Sequence, residues 1–160
     1  WEVNPADWDE TFAVNVRGVF LASRAVIPTM RSQGGGTIVT IGSYTGKRPL
    51  PGRTPYAAAK MALVGLTRTL AHEVGRDGIR VNLVSPGGIE GDRIERVSRN
   101  LALQESISDE EARERFESPS PLRRLVTAEE VARTVVFLAT DAAAGITGED
   151  LNVSAGAVMY

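Results

Sequence analysis

The chain has 160 residues, 42% of them hydrophobic and 24% charged, with a net charge of −2. That size supports one domain with its own core and is too short to argue for two, and the charge gives no basis for nucleic acid or an anionic membrane as partner. The absence of cysteine and the single histidine, His72, exclude disulfides, thiolate chemistry, histidine-based triads and multi-histidine metal sites.

No apolar run approaches the ~20 residues that span a bilayer, and no basic segment followed by an apolar stretch marks a secretory signal. A cytoplasmic protein is the expectation. Trp1 is not an initiator Met, so the sequence reads as part of something longer.

Asn4 and Pro5 form a cap and first-turn pair that opens a helix running to about Arg31. Trp8, Phe12, Val16, Val19, Phe20, Val26 and Ile27 fall on one broad apolar stripe of it. Pro28 kinks or ends the helix, and the glycines at 34–36 stop it. The segment "TIVTIGS" (37–43) is β-branched and unalternating, the pattern of a strand buried on both faces of a parallel sheet. Thr54 and Pro55 repeat the cap-plus-Pro device and begin a helix to about Arg76, and "IRVNLVSPG" (79–87) is a second buried strand.

Residues 88–126 are polar and rich in Arg and Glu, with a helix near 92–104 and another from Ser108, where Ser108 and Glu111 fit a capping box. Alternating Arg and Glu is the pattern of a salt-bridged, solvated face. Its place beyond a strand's carboxyl end also makes this excursion a candidate substrate lid, with its arginines available to read an anionic substrate. Thr127 and Glu130 form a further capping box, and "GITGEDLNVSAG" (145–156) gives a turn and a third strand. Helix–strand alternation of this kind implies an α/β fold: a parallel sheet with right-handed crossovers and helices on both faces.

Ligands of such sheets gather outside the carboxyl ends of the strands. Ser43 ends the first strand, Pro86 and Gly87 end the second, and Tyr56 stands in the first turn of the helix between them. Lys60, one of two lysines in the chain, follows Tyr56 at i+4 and shares its helix face. A free tyrosine ionises near ~10, and a neighbouring ammonium lowers that value. A Tyr–Lys pair can therefore exchange a proton with a carbonyl or alcohol oxygen, while a nearby serine hydroxyl hydrogen-bonds that oxygen.

These segments resemble the short-chain dehydrogenase/reductase superfamily, in its compact single-domain branch. "YAAAK" matches Tyr-x-x-x-Lys, Ser43 stands thirteen residues before Tyr56, "VNVRG" matches Val-Asn-x-x-Gly, and "NLVSPG" and "ITGEDLNV" match two further segments in order. The resemblance implies a Rossmann-like, doubly wound sheet and a catalytic tetrad of Asn15, Ser43, Tyr56 and Lys60. It implies NAD or NADP as cofactor, held by Tyr56, Lys60, Pro86, Gly87 and the Ile89 backbone, a small carbonyl or alcohol substrate, and a homodimer or homotetramer built on the two long helices. In it Tyr56 is the acid/base, Lys60 lowers its pKa and binds the cofactor ribose, Ser43 holds the substrate oxygen and Asn15 maintains a proton-relay water.

Two departures stand out. Gly91 occupies the slot of a usual Thr after Pro-Gly, and the Gly-rich phosphate turn of the dinucleotide-binding half has no counterpart in residues 1–160. The domain expectation is thus the carboxyl-terminal catalytic part of one domain, with the lid at 88–126. A non-catalytic fragment serving only assembly is the alternative, and an in-frame upstream phosphate turn separates the two. The sugar-nucleotide epimerase branch shares Tyr-x-x-x-Lys, but the Pro-Gly and Ile-Thr-Gly segments argue against it.

Overall fold

Residues 1–160 are all described by a computed structural model. Helix α1 (Pro5–Phe12) starts as its sequence dictates: Asn4 Oδ1 accepts a hydrogen bond from Ala6 N at 3.0 Å, and Pro5 occupies the first turn. A single π-helical turn, Ala13–Arg17, then joins α1 to α2 (Gly18–Ser32), which carries Pro28 inside it. The expected apolar stripe is only partly covered within the chain: Phe12, Val16, Val19 and Ile27 are half-buried. Ser23 is the only buried residue of α2, and Trp8, Phe20 and Val26 are exposed.

Strand β1 (Gly36–Ile41), helix α3 (Thr54–Val74) and strand β2 (Ile79–Pro86) follow. Thr54 is not a side-chain cap. The helix begins on it, with Arg53 as the flanking residue and Arg53 O accepting from Ala57 N at 2.8 Å. Helices α4 (Asp92–Glu105), α5 (Asp109–Glu117) and α6 (Ala128–Ala139) lead to β3 (Asp150–Val153).

The sheet is parallel, in the order β1-β2-β3. Strand β2 is central, and seven of its eight residues are buried. Its side chains alternate between two cores, as the period of two requires. Ile79 and Val81 pack with Ala71 and Val74 of α3 and with Ile27 and Met30 of α2, and Leu83 packs on Leu63 of α3. Val84 faces the other way, into a cluster with Val131 and Leu138 of α6 and with Val39 and Leu151 of the flanking strands. The result is three layers, α/β/α. Strand β1 is only half-buried, unlike the fully covered strand its sequence suggests, because it pairs on one flank alone.

The chain steps across the sheet in one direction from β1 to β3, yet α3 and α6 lie on opposite faces. The two crossovers are therefore of opposite hand, and only one obeys the right-handed rule. That rule reflects the geometry of a strand feeding directly into a helix, a constraint relaxed where α4 and α5 intervene between β2 and α6.

Candidate active site

The carboxyl end of β1 is extended by Gly42, whose N–H donates to Val84 O at 2.7 Å, and the chain then turns at Ser43. Ser43 caps a 3-10 turn over Tyr44–Gly46. Its Oγ accepts from Thr45 N at 3.1 Å and lies 3.2 Å from Thr45 Oγ1, to which it donates. The hydroxyl is thus fixed at both ends before any substrate arrives.

Gly46 lets this turn lie directly on α3. A Cβ there would stand 3.1 Å from Met61 N and 3.4 Å from Ala57 O, so a larger residue would push the Ser43 loop and the helix apart by a few tenths of an ångström. The small residues that follow Tyr56 serve the same approach, and Ala59 is fully buried.

Tyr56 and Lys60 stand one turn apart on α3, both half-buried. Lys60 Nζ sits 5.6 Å from the centre of the Tyr56 ring and donates to Ile41 O, the last carbonyl of β1, at 3.0 Å. That bond ties the Tyr56–Lys60 face of α3 to the strand that delivers Ser43. Partial burial of the ammonium pushes the Lys60 pKa below its ordinary value, because a charge is disfavoured where water is displaced.

Asn15 falls in the π-turn, which packs against α3. Its side-chain amide donates to Thr11 O at 3.0 Å within its own helix and makes no direct bond to Lys60. Pro86 and Gly87 leave β2 alongside. Gly87 is pressed against Ser154, where an added Cβ would come within 2.9 Å of Ser154 Cα. Beyond it Ile89 pairs with Val126, but the two bonds of that bridge use Gly88 O and Glu90 N, at 3.0 and 2.8 Å from the Val126 N and O. The N–H and C=O of Ile89 itself take part in no hydrogen bond.

Ser43, Tyr56, Lys60, Pro86, Gly87 and Ile89 thus gather along one edge of the sheet, with Asn15 behind α3. Sequence reasoning missed three residues here. Thr45 fixes the serine, Lys47 anchors the loop in the sheet, and Arg48 faces a neighbouring cavity. The rarity of lysine was the one signal that pointed to Lys47.

The profile of a family described as enoyl-(acyl carrier protein) reductase matches residues 1–158. The chain belongs to the short-chain dehydrogenase/reductase family. Within it, the chain is 40% identical over 153 residues to the 3-oxoacyl-[acyl-carrier-protein] reductase FabG of Escherichia coli, covering 96% of this chain and 58% of that protein. Among solved members of the short-chain dehydrogenase/reductase family, sorbitol-6-phosphate 2-dehydrogenase SrlD from Erwinia amylovora superposes with a TM-score of 0.92 at 32% identity, over 99% of this chain and 63% of that one. L-sorbose reductase from Gluconobacter frateurii, solved with NADPH and L-sorbose, gives 0.91 at 28%, over 99% of this chain and 61% of that one. The chain therefore spans about three-fifths of the length of these relatives.

Proposed function

We propose that the chain is the catalytic part of an NAD- or NADP-dependent oxidoreductase acting on a secondary alcohol or its ketone. The observation that carries this reading is the placement of Lys60, which lies over the Tyr56 ring and is bonded to the end of the strand bearing Ser43.

The residues present fit a nicotinamide cofactor. Lys60 uses one of its three donors on Ile41 O, which leaves two for ribose hydroxyls. The free N–H and C=O of Ile89 are the donor–acceptor pair that a carboxamide needs, and Gly87 keeps the wall beside it flat. The reduced nicotinamide supplies the hydride that bonds to the carbonyl carbon.

The Ser43 hydroxyl proton turns from Thr45 Oγ1 to the carbonyl oxygen, and the serine, still held by the Thr45 N–H, keeps that oxygen within reach of the Tyr56 hydroxyl. As the C=O π bond breaks and negative charge grows on oxygen, Tyr56 gives its proton to that oxygen, completing the alcohol. Lys60 then faces the ring that has lost the proton, and its ammonium offsets the charge left there. Asn15, on the π-turn behind α3, serves the water that returns the proton. Oxidation of an alcohol runs these steps in reverse.

The relatives' names cover an oxoacyl thioester, a sugar phosphate and a free ketose. Their shared chemistry is the ketone–alcohol pair. Helices α4 and α5 (within 88–126) form the lid over the site. A second copy of the chain covers the apolar face of α2 and α3, giving a homodimer or homotetramer. The reading places the enzyme in the cytoplasm, and no helix is long and apolar enough to cross a membrane.

In the full-length protein, Tyr56→Phe keeps the ring and removes the proton donor. Turnover read by reduced-nicotinamide absorbance is expected to fall by about 10² or more. A variant turning over near the wild-type rate would remove Tyr56 from the acid/base role.

A further inference from the structure

A cavity of about 140 Å³ lies between the loop that follows Ser43 and helix α5. Tyr44, Thr45, Arg48 and Leu50 line one side, with Arg115, Phe116 and Pro119 on the other. It adjoins the reactive edge directly, because its wall residue Thr45 is the hydrogen-bond partner of Ser43 Oγ. Apart from its two arginines and Thr45 the lining is aromatic or aliphatic, and it contains no carboxylate.

The two arginines differ. Arg115 is already engaged, bonding Glu105 and lying 3.7 Å from Glu111. It belongs to the web of ion pairs that occupies most arginines of residues 88–126, including Arg113 with Glu117 and Arg124 with Glu130. Arg48 has no carboxylate within ion-pair distance, and its guanidinium makes no hydrogen bond to the protein. It is nevertheless half-buried, on a loop closed by its own N–H donating to Tyr44 O at 2.9 Å.

A half-buried arginine with no ion pair and no hydrogen bond to the protein keeps its charge and its five donors for a ligand. Here the partner is lacking in a cavity that opens beside the catalytic serine. From this geometry we infer that Arg48 is the specificity residue for a substrate carrying an anionic group, a carboxylate or a phosphate ester, a few atoms from the reacting carbon. The cavity is well below the ~300 Å³ at which drug-sized pockets begin, so it suits a compact head group. The planar guanidinium binds either oxyanion in a fork. Tyr44 and Phe116 exclude water around that contact and strengthen it. Arg99, Arg113, Arg115, Arg123 and Arg124 of the lid pair with glutamates, Arg93 and Arg96 are exposed and do not line the cavity, and the cavity's unpaired cation comes from the opposite wall.

This inference rests on the oxidoreductase reading, and the test separates the two. Wild-type full-length protein, Arg48→Met and Arg48→Lys are assayed with two matched pairs of ketones. One pair is 4-oxopentanoate and its methyl ester, and the other is dihydroxyacetone phosphate and dihydroxyacetone. The charged member is expected to have the higher kcat/KM in at least one pair, and which pair identifies the anion. In Arg48→Met that charged-to-neutral ratio is expected to fall about 10- to 100-fold, the range of a charge-assisted hydrogen bond. The loss falls mostly on KM, and Arg48→Lys recovers part of it. A ratio that Arg48→Met leaves unchanged in both pairs overturns the inference. Calorimetry with the same four compounds reads the anion preference without turnover. If none of the four is reduced, the proposed reaction fails, while an anion preference that is lost in Arg48→Met still upholds the pocket and its absence sinks it.

Discussion

Two lysines hold the Ser43 loop from opposite sides, and only one of them announces itself in the sequence. Lys60 is legible because its partner Tyr56 is four residues away on a helix, where spacing alone places side chains together. Lys47 is bound instead to β3, far along the chain. Its Nζ lies 2.8 Å from Asp150 Oδ2 and donates to Asn152 Oδ1 at 2.5 Å, with both members of the ion pair more than nine-tenths buried. Ser85 Oγ donates to the other Asp150 oxygen at 2.6 Å, and the Tyr160 hydroxyl donates to Lys47 O at 2.6 Å. A buried pair costs desolvation when formed, but removing one partner strands the other. Lys47→Met is therefore expected to destabilise the fold by about 3–5 kcal/mol. Adding Asp150→Asn, which keeps an acceptor for Ser85 and removes the stranded charge, is expected to recover most of that. Denaturant unfolding of the two single variants and the double variant checks it, and additive losses would show that the charges are not coupled.

At the scale of elements, features that act within one turn are more legible in the sequence than those that depend on packing. Thr127 and Glu130 form the full reciprocal box, Glu130 N donating to Thr127 Oγ1 at 3.1 Å and Thr127 N to Glu130 Oε2 at 2.8 Å. Ser108 caps α5 by accepting from Glu111 N at 3.1 Å, but Glu111 turns toward Arg115 and does not close the box. The π-turn around Asn15 is not legible in the sequence: Gly18 follows it directly, but a single glycine does not distinguish a π-turn from a continuing α-helix. It arises where the helix settles against α3.

Glu130 also receives a forked bond from Arg124, at 2.9 and 2.6 Å. Chiefly through that contact, and then through the Thr127 amide, its pKa falls from 4.5 to about 2. A carboxyl whose folded pKa is depressed adds stability above its unfolded pKa and loses it as pH falls toward the folded value. Glu130→Gln is therefore expected to lower the melting temperature near neutral pH. The gap to wild type is expected to narrow as pH drops from about 4.5 toward about 2, the window set by the two pKa values. Melting curves at several pH values across that window read this directly, and a gap of constant size would mean that the fork does not depend on the Glu130 charge.

Residues 1–160 expose 9787 Å², against about 7,800 Å² for a compact monomer of the same mass. The excess is not spread evenly. It includes the outer flank of β1, which lacks a strand partner, and the face of α2 and α3, where Phe20, Leu21, Val26 and Met61 remain between 42% and 47% exposed. Between those helices lies a cavity of about 300 Å³ bounded by Phe20, Ile27, Pro28, Leu66 and Leu70. The layer order and the parallel sheet were legible because helix and strand periods alternate along the chain. The opposite hands of the two crossovers were not, because handedness is set by the side on which α6 lands after a long excursion.

An apolar helix face can drive association, and a charge placed on it tests whether it does. Phe20→Asp places a carboxylate on the helix face, where a monomer would solvate it at little cost because the site is already open to water. In a homodimer closed over α2 and α3 that carboxylate is taken out of water and replaces an apolar contact, which weakens the interface. The full-length protein is expected to scatter light as a dimer or tetramer, and Phe20→Asp to yield a smaller species with unchanged circular dichroism. An assembly indifferent to Phe20→Asp would place the interface away from α2 and α3.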